Sequence, residues 1–185
     1  SRGLEDVYKG PNMNAKKGIN MALQEFTLAE ALKSAGYRKA LFGKWHLGDN
    51  YPYRPEDRGF EEVYRHGGGG VGQTPDLWDN SYFDGNYFHN GEIVPAKGFC
   101  TDVFFSKAHD FIKEKAATKE PFLAYISLNA PHGPLHCPQK YMDLYKDQKP
   151  NVAAFFGMIS NIDTNVGATR KLIADLGISD NTIFI

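Results

Sequence analysis

The segment GKWHLGDN, residues 43–50, sets Lys44, Trp45 and His46 in consecutive order directly after the apolar run Ala40-Leu41-Phe42. On an extended chain, side chains two apart share a face, so the spacing predicts Lys44 and His46 together on a cationic face with Trp45 turned away. A solvated strand end with a hydrogen-bonded histidine accounts for the same residues. A second cluster lies in NAPHGPLH, where Pro131 and Pro134 stiffen the backbone on either side of His132. A histidine on such a turn can be positioned as an acid, or can bond its own backbone. His136 lies further along the exit loop. A third group sits in YRHGGGGVGQTPD, where glycines permit close backbone approach to a ligand and His66, Gln73 and Asp76 offer hydrogen bonds to a polar substrate. A flexible surface loop fits that stretch equally well. It is not a phosphate-cradling motif, because no Lys-Ser/Thr pair or helix follows the glycines.

These residues need elements to position them. TLAEALKSAGY opens with Thr27 and carries Glu30 three residues later, a reciprocal capping arrangement, with Leu28, Ala31, Leu32 and Ala35 on one face and Gly36 as a stop. It feeds YRKALFGKW, the helix-to-strand step of an α/β unit. Residues 49–97 hold Pro52, Pro55 and Pro75 among their prolines, four consecutive glycines and many aromatic residues without a period, which predicts a folded, loop-rich excursion beside a site. TDVFFSKAHDFIKEK restores helical spacing, with Thr101 as its cap. The apolar run Pro121–Leu128 predicts a strand buried on both faces of a parallel sheet. Residues near 152–176 predict a long helix with Phe155, Met158, Ile159, Ile162, Val166 and Leu172 toward the core. Gly177 ends it, and NTIFI predicts a further strand. This order implies right-handed crossovers and a mostly parallel sheet flanked by helices. Ligands bind outside the carboxyl ends of the strands in such sheets, and Lys44, His46 and His132 all fall at such ends.

The 185 residues suit a single domain, and 42% hydrophobic with 23% charged residues is ordinary globular usage. With 21 basic and 22 acidic residues and a net charge of −1, no footprint for nucleic acid is present. No apolar run reaches the ~20 residues of a membrane span, and residues 1–20 lack the order of a secretory signal. Cys100 and Cys137 are too few and too far apart for a disulfide scaffold or a zinc site and read as isolated thiols. Asp49, Asp57, Asp76, Asp79 and Asp84 supply carboxylates, but their spacing fits no calcium loop, and no metal ligand is assigned.

Four segments, in order along nearly the whole chain, resemble the sulfatase family. GYRKALFGKWHLG is similar to its second signature segment, and RPEDRGFEEV resembles its following arginine-glycine-phenylalanine element. LNAPHGP resembles its later histidine segment, and GMISNIDTNVGATRKLIADLGISDNTIFI resembles the helix and strand that precede its second metal-binding loop. Lys39 departs from the family pattern, which usually carries a small hydroxyl residue there.

The resemblance implies an alkaline-phosphatase-like α/β fold, present here as a partial domain over residues 1–185. It also implies hydrolysis of sulfate esters through a formylglycine made from cysteine or serine, with bound calcium or magnesium. It assigns Lys44 to the lysine that contacts the sulfate, His46 to the histidine that acts after transfer, and His132 to the histidine beside the leaving-group oxygen. A fixed ammonium stabilises a transferring anionic group and an imidazole can protonate an alkoxide, so these roles are chemically coherent. In the family, the nucleophile segment and the paired metal-binding aspartates precede the point where this chain begins, and SRGLEDVYKG resembles the link after the nucleophile motif. The expectation is therefore a fragment that lacks flanking segments of its own domain, binds divalent metal weakly and is inactive alone. Its partner is a small-molecule or glycan sulfate ester. The family tends to be secreted, periplasmic or lysosomal, and the compartment stays open. Two other readings remain: a phosphomonoester or phosphonate hydrolase of the same superfamily, and a non-catalytic module that binds sulfated glycans.

Overall fold

The computed structural model describes residues 20–185, so the reading of SRGLEDVYKG as a link lies outside the described residues. The first element, α1 (Leu28–Lys33), has the capping box that its sequence predicts. Thr27 Oγ1 accepts the Glu30 N–H at 3.0 Å, and Glu30 Oε2 accepts the Thr27 N–H at 2.7 Å. Its buried face differs from the one expected. Ala29 is the buried residue of the helix, and Leu28 is exposed. A helix of six residues presents only one contact side, and here that side is set by the close approach of Gly59, whose Cβ would stand 2.8 Å from Glu30 N.

A mixed five-stranded sheet follows, in the order β4-β3-β2-β1-β5. Strand β1 (Arg38–Gly43), next to the edge strand, is buried from Lys39 to Gly43. It pairs in parallel with β2 (Glu62–Arg65) on one side and β5 (Phe122–Ser127) on the other, with Gly43 opposite both Arg65 and Ser127. Strands β3 (Asn86–His89) and β4 (Glu92–Pro95) complete the sheet as an antiparallel hairpin. The excursion over residues 49–97 is thus less irregular than its composition implies. The overlooked signal was local: Asn90 (φ +50°) and Gly91 (φ +93°) form the left-handed pair that a two-residue hairpin favours. β5 is the edge strand among the described residues, with Tyr125 47% exposed, not a strand covered on both faces.

Lys39, the departure from the family pattern, is 2% exposed and pairs through Nζ with Glu61 Oε1 at 2.6 Å. Burial alone would raise the Glu61 pKa, but the bond and charge of Lys39 outweigh it and hold the carboxyl below its ordinary value.

Helix α2 (Cys100–Thr118) lays Phe104, Ala108 and Phe111 on Ala40, Phe42, Tyr64 and Tyr87 of the sheet. It starts one residue before Thr101, with Phe99 at the cap position; phenylalanine has no side-chain acceptor, so there is no side-chain cap, and the Cys100 N–H is held by Tyr82 O at 2.8 Å. After the short α3 (Gln139–Met142), α4 (Pro150–Asp175) packs against α2. The buried stripe of α4 is rotated from the expected one. Met158 is buried as predicted, but Phe155 and Ile159 face solvent, and Ala154, Gly157, Asn161, Thr169 and Ile173 face inward. Small and amide side chains win there because polar partners wait on α2. Asn161 and Asn165 both donate to Asp102 Oδ1 at 2.7 Å, and Thr169 Oγ1 bonds His109 Nε2 at 2.8 Å.

Beyond a 3₁₀ turn at Ser179–Asn181, residues 182–185 join no ladder, so the strand expected at NTIFI does not form among the described residues. Both cysteines are buried and free, and burial pushes the Cys100 thiol up to about 12 and the Cys137 thiol up to about 11. Among the described residues, no helix is long and apolar enough to cross a membrane.

Candidate active site

The carboxyl ends of β1 and β5 are stitched together by backbone. The Lys44 N–H donates to Ser127 O at 2.7 Å, and Ser127 Oγ donates back to Lys44 O. The two strands approach so closely that a Cβ on Gly43 would stand 2.0 Å from Ser127 O. Lys44 therefore leaves β1 beside the point where the chain leaves β5 for the His132 turn. That turn is closed by the His132 N–H on Asn129 O at 3.0 Å and by His132 Nδ1, as donor, on Gly133 O at 2.7 Å.

Lys44 and His46 do not share a strand face. β1 ends at Gly43, and His46 adopts φ +59°, so a turn rather than strand alternation places its imidazole. Lys44 and His132 both act electrostatically on the His46 imidazole. Burial holds the His46 pKa below its ordinary value, helped by the Lys44 charge and the His132 ring and opposed by Asp49. Burial also lowers the Lys44 pKa. The rim thus combines a cation with an imidazole kept neutral, able to accept a proton, and a second, exposed imidazole on a stiff turn. Trp45 turns away as expected. It packs edge-on against Phe60 at 5.9 Å and donates Nε1–H to Tyr53 O at 2.8 Å.

His66, Gln73 and Asp76 lie on the loop beside this rim, in supporting positions. His66 is 1% exposed, its Nδ1 donating to Gly67 O at 2.7 Å. Gln73 Nε2 donates to Gly133 O at 3.1 Å, and Asp76 accepts two backbone N–H groups of its own loop. His136 stacks edge-on with Tyr82 at 5.1 Å.

Burial is the main cause that lowers the His66 pKa. Lys44 adds to it, while the Gly67 carbonyl, Asp76 and Asp49 oppose it. A histidine held neutral in the fold but ordinary when unfolded binds more protons unfolded, so stability is full above about pH 6.5 and falls as pH drops toward the depressed value. His66→Gln is accordingly expected to flatten the fall in melting temperature between about pH 6.5 and pH 5, read by thermal melts across that range.

Sequence reasoning named Asp49 only among the loop carboxylates, without a role, and passed over Arg65. Asp49 Oδ1 accepts Gly68 N–H at 3.0 Å and Arg65 Nη1 at 3.4 Å, and its charge acts on His46. Nothing in their spacing marks them, because they meet only once β1 and β2 pair. The arginine-glycine-phenylalanine element proves to be structural: the buried Arg58 bonds Glu25 O at 2.5 Å and Glu30 Oε1 at 3.3 Å, and Phe60 supports Trp45.

Two surface cavities of about 360 and 550 Å³ lie elsewhere, between the sheet and α2, and take in none of Lys44, His46 and His132. The first is lined by Glu61, Glu62, Asp110 and Glu114 together with Arg38, Lys107 and Lys115, a cleft of mixed charge. Among the described residues, no group of three or more His, Cys, Asp or Glu side chains could hold a metal ion, so the residues at hand do not fit a metal centre.

Known proteins resemble this chain over most of its length. The N-acetylgalactosamine-6-sulfatase of Canis lupus familiaris is 31% identical over 172 residues, covering 86% of this chain and 31% of that protein. The arylsulfatase of Klebsiella aerogenes is 33% identical over 154 residues, covering 79% of this chain and 33% of that protein. The chain thus spans about a third of the length of these relatives. The crystal structure of Ps i-CgsB in complex with k-i-k-neocarrahexaose superposes with a TM-score of 0.78 at 25% identity, over 89% of this chain and 40% of that one. The fold is the alkaline-phosphatase-like α/β fold of such sulfatases, in part. The Sulfatase family model matches residues 5–185, almost the entire chain, and the chain belongs to the sulfatase family.

Proposed function

We propose that the protein carrying this chain hydrolyses sulfate esters, with the rim of Lys44, His46 and His132 as its anion and leaving-group site. The observation that carries this reading is the joining of the β1 and β5 ends, which brings a cation and two imidazoles of unlike environment to one rim. Lys44 offsets charge on the sulfate oxygens, His132 delivers a proton to the departing alkoxide, and His46, kept neutral, accepts one. Sulfated sugars and aryl sulfates are both candidate substrates, in keeping with the names of the relatives.

In the family the nucleophile is a formylglycine and the metal calcium or magnesium. Cys100 and Cys137 are buried and held as neutral thiols, which fits neither as an exposed nucleophile. We assign the nucleophile and the metal ligands to other segments of the enzyme, a reading supported by the chain's span of about a third of its relatives' length.

The test compares the product of the complete coding sequence with the 185-residue chain on p-nitrophenyl sulfate and on a 6-sulfated amino sugar. Sulfate release by the complete protein and none above background by the chain is expected. Turnover of p-nitrophenyl phosphate in place of either sulfate would overturn the ester class. Robust turnover by the chain alone would overturn the placement of the nucleophile.

A further inference from the structure

The segment 67–76 holds five glycines in ten residues, yet it is fixed at several points. Asp76 Oδ1 accepts the Gly67 N–H at 2.7 Å. Asp76 Oδ2 accepts the Gly72 N–H at 2.6 Å and Asn80 Nδ2 at 3.0 Å. Asp49 holds the Gly68 N–H. Three donors on one carboxylate leave it little capacity for a substrate, and they close the loop into a ring.

The ring touches the His46 imidazole and the carbonyl that holds the His132 ring. Gly69 lies close against the His46 imidazole: a Cβ there would stand 2.8 Å from both Cε1 and Nε2. On the far side, Gln73 Nε2 donates to Gly133 O, the carbonyl that also receives His132 Nδ1. Only glycine permits the first contact, and a carboxylate clasp makes so glycine-rich a loop rigid enough to transmit the second.

We propose that the 67–76 loop is a brace, clasped by Asp76, that sets the His46 ring through Gly69 and the His132 turn through Gln73. These are positioning residues, and the assignment rests on the sulfatase reading of the rim only for its effect on turnover. It departs from direct substrate contact, which requires a free donor on Gln73 and a free acceptor on Asp76.

The test records the ring ¹³Cε1 resonances of the six histidines in the full chain without any sulfated ligand, beside steady-state kinetics of the same variants in the complete enzyme. Gln73→Ala is expected to move the His132 resonance and leave His46 in place, Gly69→Ala to move His46, and Asp76→Asn to move both, with Asp76→Glu restoring part of the shift. In the enzyme, kcat falls by up to about 10²-fold with KM little changed. Gln73→Ala keeps the test alive if Asp76→Asn does not fold. Unmoved ring resonances in a folded Gln73→Ala or Asp76→Asn protein, with KM alone raised, would overturn the brace in favour of substrate contact. Moved resonances in an enzyme without sulfatase activity would uphold the brace and refute the sulfate-ester reading.

Discussion

Gly43→Ala is expected to be the most damaging single-methyl change in the chain. Two independent penalties coincide at that residue. Its φ of +114° lies where L side chains are strained, and the added Cβ would come 2.0 Å from Ser127 O, a backbone atom that cannot swing aside. Relief requires β1 and β5 to separate, which breaks the Lys44 N–H to Ser127 O bond and pulls Gly43 O from the His66 N–H. Strain of this kind in a buried strand costs about 3–5 kcal/mol. In a chain of this size that corresponds to a melting temperature lower by about 10 °C. Urea denaturation and thermal circular dichroism check it. A variant within about 0.5 kcal/mol of the parent would mean that the strand ends are not tightly joined and that the rim has no fixed geometry.

The same junction explains what the sequence did and did not reveal. Lys44 and His46 were identifiable because an apolar run meets polar residues between glycines, and local chemistry marks such a place. The reason they come together was misread: alternation along a strand was expected, but β1 ends at Gly43 and a left-handed turn at His46 does the work. Capping at Thr27 was legible because both bonds lie within three residues. The buried face of α4 was not, because Asn161 and Thr169 point inward toward Asp102 and His109 on a helix some sixty residues earlier. β2 is four residues long and takes its register from its pairing with β1 and β3, so no period could declare it. Asp49 and Arg65 belong to the same class: their meeting is a consequence of strand pairing, invisible to spacing. Gln73 and Asp76 stood out as polar residues among glycines, and the structure engages both in holding their own loop and its neighbour.

Lys44→Ala separates the chemistry from the scaffold. Lys44 is half-buried, and its backbone rather than its side chain holds the strand junction, so the fold should survive with a melting temperature within about 2 °C of the parent. The ammonium acts on the rim in two ways. It opposes charge on a bound sulfate, and loss of one such preorganised group typically lowers kcat by about 10²–10³-fold. It also depresses the His46 pKa, second only to burial, so its removal lets that pKa rise toward the ordinary value of 6.5. If neutral His46 is the working form, the acid limb of the rate profile must then move to higher pH, not lower, because protonation now begins sooner as pH falls. Kinetics of the complete enzyme on an aryl sulfate across about pH 5–8, with melts on the same samples, read both effects. Loss of rate with an acid limb that stays put would leave Lys44 as an anion anchor remote from His46. An unchanged rate in a folded variant would remove Lys44 from the site altogether, and with it the assignment of the β1 end as the place where sulfate is bound.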